Sequence, residues 1–118
     1  MDAWSGRFAS TAHPHLINGR FQLNADVKKR NFKTPITLMF EGEYGYGEVV
    51  DTQVEISPAR KRMVISPKPE VELVVDYWSP VRIAGTYRVV KSDIFAHRGR
   101  WLMVKGTEFP PEDQCVIV

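Results

Sequence analysis

The sequence predicts an all-β domain, a small antiparallel β-barrel or sandwich with at most one short helix. Three observations point there. Apolar and polar residues alternate with period two in about seven separate runs, the mark of half-buried strands. Proline- and glycine-containing turns separate the runs. No long segment repeats apolar residues at three- and four-residue intervals, so no amphipathic helix competes. Several short strands between such breaks indicate a sandwich or a closed barrel, with an OB-like barrel among the options.

Taken in order, residues 1–19 are mixed and end on the turn signal Asn18-Gly19, so they read as an N-terminal arm or loop ahead of one domain at 20–118. Arg20 to Lys28 then alternates, with Phe21, Leu23, Ala25 and Val27 on one side. Ile36, Leu38 and Phe40 give a second strand, and Val50, Val54 and Ile56 a third. Met63 to Ile65 is a short strand. Val71, Leu73, Val75 and Tyr77 line the next, followed by Ile83, Tyr87 and Val89. Trp101 to Val104 is another, and Val116 to Val118 is a candidate closing strand. The breaks are Gly42, Gly45 and Gly47, then Ser57-Pro58, Ser66-Pro67-Lys68-Pro69 and Ser79-Pro80. The one helical candidate is a turn capped by Ser92, running Asp93 to Arg98 and stopped by Gly99.

The 118 residues carry a net charge of +2, with 43% hydrophobic and 25% charged residues, a globular composition whose overall charge selects no partner. The single cysteine, Cys115, excludes an internal disulfide and favours a reducing, cytoplasmic compartment. The N-terminal residues lack the apolar core of a signal peptide, and no stretch reaches the ~18 apolar residues of a membrane span. The ending Cys115-Val116-Ile117-Val118 has the outline of a prenylation motif. However, it ends in valine and follows the acidic Glu112-Asp113, so a last strand is the expected reading.

Catalytic chemistry finds no support. No G-x-S-x-G elbow is present. The acidic residues fall mostly on the polar faces of alternating strands. The run from Gly42 to Gly47 lacks the Lys-Ser/Thr and the helix of a phosphate-binding loop. His13 and His15 flank Pro14 without a carboxylate or thiol nearby, so no metal site is expected, and no cofactor is implied.

The basic residues carry more information. Lys28, Lys29, Arg30 and Lys33 cluster around Phe32, and Arg60, Lys61 and Arg62 form a second cluster in a turn. Arg98 and Arg100 flank Gly99, with Trp101 and Lys105 following. Aromatic residues interleave, among them Tyr44, Tyr46, Tyr77, Trp78 and Phe95. Single-stranded nucleic acid binding needs both components: cations neutralise phosphates, and rings stack on bases for roughly 1–3 kcal/mol each. The expected interface therefore comprises Lys28, Lys29, Arg30, Phe32, Lys33, Tyr44, Tyr46, Arg60, Lys61, Arg62, Arg100 and Trp101.

The stretch VELVVDYWSPVRIAGTYRVVKSDIFAHRGRWLM, residues 71–103, loosely resembles the second half of filamentous-phage single-stranded-DNA-binding proteins. The shared order is a strand, a proline turn, a Gly-x-Tyr strand and a glycine-tipped hairpin. That likeness implies single-stranded DNA as a partner. Separately, KKRNFKTPITLMF with GEVVD faintly resembles the opening of PilZ-type cyclic-dinucleotide barrels. After Asp51 the chain departs from that pattern, reading Thr52-Gln53-Val54-Glu55 in place of the binding signature.

The expected function is a non-enzymatic module binding single-stranded DNA or RNA. One alternative is a structural or assembly protein, such as a viral or phage particle component, with self-association or a protein partner. The other is a small-ligand barrel whose mouth is lined by Trp78 or Trp101.

Overall fold

Each period-two run forms a strand, and the strands follow one another around a closed wall. The computed structural model describes residues 2–26, 28–43, 45–67, 70–91 and 98–111. Its elements are β1 (Asp2–Ser10), β2 (Asn18–Ala25), β3 (Phe32–Phe40), β4 (Gly47–Ser57), a 3-10 turn (Pro58–Arg60), β5 (Arg62–Ser66), β6 (Glu70–Trp78), β7 (Arg82–Lys91) and β8 (Arg98–Lys105). Every strand pairs antiparallel with the next, and β8 pairs with β1, so the eight strands make an up-and-down barrel. The all-β barrel expected from the sequence is thus the observed fold.

The segment assigned to an arm differs. Asp2–Ser10 is a strand of the wall, held between β2 and β8 from Trp4 opposite Leu23 to Ala9 opposite Arg100. Alternation missed it because β1 is buried on both faces. Trp4 and Phe8 face the core, while Ser5 and Ala9 on the outer side are buried as well. Residues following β8 turn back over this outer side. The Gly106 amide donates to the Ala3 carbonyl, the Ser5 hydroxyl donates to the Gly106 carbonyl, and the Arg7 Nε donates to the Pro110 carbonyl. The second strand also stops earlier than expected, at Ala25. Asp26 closes a turn there, accepting the Lys28 amide on its carboxylate and the Lys29 amide on its carbonyl. Of the expected helical turn from Asp93 to Arg98, residues 93–97 lie outside the described residues, while Arg98 and Gly99 are already strand, paired with Arg88 and Tyr87 as the start of β8. The candidate closing strand at 116–118 also lies outside the described residues.

The interior is one apolar core with Trp4, Phe21, Ile56, Met63, Ile83 and Trp101 among its members, the filling expected of an eight-stranded barrel. Glycines make room for its rings. A side chain at Gly6 would collide with the Phe21 ring, and one at Gly99 with the Tyr87 ring. Up-and-down topology gives the barrel two ends. The connections 11–17 and 41–46 lie at one, here called the upper end. The connections 26–31, 58–61 and 79–81 lie at the lower end.

Candidate nucleic-acid interface

The topology brings the first two basic clusters to the same end. Lys28, Lys29 and Arg30 are exposed in the β2–β3 connection, and Lys33 is exposed at the start of β3. Arg60 and Lys61 are exposed in the β4–β5 connection. Because Phe32 pairs with Ile56 and Lys33 with Glu55, the two connections leave the wall from adjacent strands. Their roots are therefore about 5 Å apart, one strand spacing.

The second connection has a fixed shape. Pro58 opens a single 3-10 turn, whose missing amide costs nothing there. Lys61 closes it in the left-handed region, at φ 51° and ψ 48°, with its amide donating to the Pro58 carbonyl. The Lys61 carbonyl in turn accepts the Val75 amide at 2.9 Å, which moors the loop to β6.

Within the described residues, the ion pairs involve other groups. Arg20 pairs with Glu41, Arg62 and Arg88 share Glu72, and Lys105 meets Asp2. Lys28, Lys29, Arg30, Lys33, Arg60 and Lys61 make no ion pair with a described residue. Carboxylates temper this set: Asp26, engaged with the Lys28 amide, Glu55, opposite Lys33, and the exposed Asp76 between Val75 and Tyr77. Mutually repelling cations held close together are stable when solvated and gain free energy when an anion neutralises them.

The remaining expected residues do not join this surface. Arg62 is adjacent, but its guanidinium is held by Glu72 at 2.7 Å. Arg100 is half-buried near the upper end of β8. Trp101 is an interior residue, 2% exposed, whose indole N–H donates to the Thr86 carbonyl at 3.0 Å. Tyr46 is 82% exposed, but at the upper end. Tyr44 lies outside the described residues. Phe32 is at the lower end, half-buried and packed against the core.

One ring belongs near the basic loops that the expected set omits. Alternation places Tyr77 on the apolar face with Val71, Leu73 and Val75. The register shifts between Val75 and Tyr77, so Trp78 takes the place against the core and Tyr77 is left 54% exposed. A bulge of this kind re-aims side chains and leaves no mark in the hydrophobic pattern. Tyr77 stands two residues beyond Val75, the residue bonded to Lys61.

The site is thus a basic, partly aromatic rim at the lower end of a closed barrel. No known protein family, curated protein or solved structure matches the chain.

Proposed function

We propose that this protein is a non-enzymatic module that binds single-stranded nucleic acid across the lower end of its barrel. The observation that carries the proposal is the meeting of two basic loops on adjacent strands, with six cations that no described carboxylate pairs. Lys28, Lys29, Arg30, Lys33, Arg60 and Lys61 meet the phosphates, and Tyr77 offers its ring to the bases. Such a surface binds with little sequence preference, because phosphate contacts carry no sequence information and every base has a face to stack.

The test is fluorescence anisotropy of a labelled oligothymidylate across a series of salt concentrations. With all six cations engaged, the slope of log affinity against log salt is about −4, at roughly 0.7 per phosphate contact. Replacing Lys28, Lys29 and Arg30 together with glutamine reduces that slope by about 2. The pair Arg98→Gln and Arg100→Gln, at the other end, leaves it unchanged. Absence of binding at ~50 mM salt would refute the proposal, since this electrostatic attraction is strongest at low salt.

A further inference from the structure

The upper end has the opposite character. Inside it lies an apolar cavity of about 30 Å³, walled by Phe8, Phe21, Leu38, Val71, Tyr87 and Trp101 among others. That is room for a water or two by volume. The Trp101 N–H is already given to Thr86, so the indole offers the cavity only its carbon surface.

Outside, between the two upper loops, is a cleft of about 370 Å³ that includes Leu16, Ile17, Tyr46 and Val49. Phe40 lines both spaces and stands between them, with its ring edge-on to Phe8 at 5.5 Å. The cleft is built rather than incidental. The Glu41 amide donates to the Asn18 carbonyl and the Glu43 amide to the His15 carbonyl, which ties the loops together. Gly42 permits that approach, because a side chain there would collide with the Leu16 backbone.

We propose that the cleft and cavity together form a binding site for a small uncharged amphiphile. Its hydrocarbon end displaces the Phe40 ring and enters the cavity, and its polar end stays in the cleft. Size and wall chemistry set the first half of this assignment: a mostly apolar space of a few hundred Å³ suits a small organic ligand. Charge sets the second. Glu48 is exposed in the cleft wall and Glu43 is exposed on the adjoining loop, whereas Arg20 is engaged by Glu41. A carboxylate or phosphate head is repelled there. The site is independent of the nucleic-acid surface, which lies at the other end.

The experiment uses the uncharged dye N-phenyl-1-naphthylamine, whose fluorescence rises in apolar surroundings, with 1-decanol and decanoate as competitors. The expected result is saturable 1:1 dye uptake that decanol displaces at a tenfold or more lower concentration than decanoate. Val71→Phe, which fills the cavity, abolishes uptake, and Phe40→Ala, which removes the ring between the two spaces, speeds uptake at least tenfold. Absence of saturable uptake overturns the proposal, and so does displacement by decanoate as readily as by decanol. Should Val71→Phe fail to fold, Phe40→Ala decides alone: an unchanged uptake rate means the dye rests on the surface, and the proposal falls.

Discussion

The amide of Val75 donates to the carbonyl of Lys61 across 2.9 Å, joining a strand of the wall to the tip of a basic loop. That bond helps to hold Lys61 in a left-handed conformation that a side chain resists, at a cost of roughly 1–2 kcal/mol. Glycine adopts the same conformation without the penalty. Lys61→Gly is therefore expected to leave stability unchanged or raise it by up to about 1 kcal/mol. It also removes one phosphate contact, lowering the salt slope by about 0.7. Thermal unfolding and oligonucleotide titration on one sample check both halves.

Glu72 lies between two arginines, 2.7 Å from Arg62 and 3.4 Å from Arg88. Both arginines are largely exposed, so the fork contributes at most about 1 kcal/mol to stability. Glu72→Gln is expected to shift the urea midpoint little. It frees Arg62 beside the basic loops, and oligonucleotide affinity at low salt is expected to rise several-fold. An unchanged affinity places Arg62 outside the binding surface.

Gly85 and Gly45 separate two meanings of glycine. A side chain at Gly85 would run into the Val74 carbonyl of the neighbouring strand, whereas one at Gly45 meets open space. Gly85→Ala forces the backbone apart at the β6 bulge and is expected to cost about 1–3 kcal/mol or more. Gly45→Ala is expected to stay within about 0.5 kcal/mol of the parent. Chemical denaturation of the two variants gives the comparison directly.

Leu102 and Val74 both face outward from the wall, yet Leu102 is 3% exposed and Val74 is 48% exposed. Leu102 packs in a small satellite cluster with Ala9, flanked by Ala84 and Val104. Leu102→Ala is expected to cost about 2–5 kcal/mol, and Val74→Ala no more than about 0.5. Equal effects would mean that the outer cluster contributes no stability.

The same contrast shows what was legible from the residues alone. Strands covered on one face, such as that of Phe21, Leu23 and Ala25, announced themselves by alternation. β1 did not, because its cover on the outer face comes from residues about a hundred positions away, including Gly106 and Pro110. Both basic clusters were legible as charge runs, and their meeting is a matter of β3 pairing with β4. Trp101 follows two arginines in the sequence, but its place in the register puts it inside. The pattern assigns Tyr77 to the apolar face, and the bulge that turns it outward leaves no trace there. The cleft was illegible, since it depends on hydrogen bonds between two loops that no local motif records.

The seam between β1 and β8 bears on how this chain reaches its fold. Trp4 must find Lys105, and Ser10 must find Gly99, so the wall cannot close until its most distant strands meet. The other pairings join consecutive strands, whereas this one closes a loop of nearly the whole chain, so its entropy cost falls before the interior is sealed and slows folding. Until the seam is made, β1 and β8 each present an unpaired edge. In that open form the two edges are templates for pairing with another chain, a hazard that closure of the wall removes.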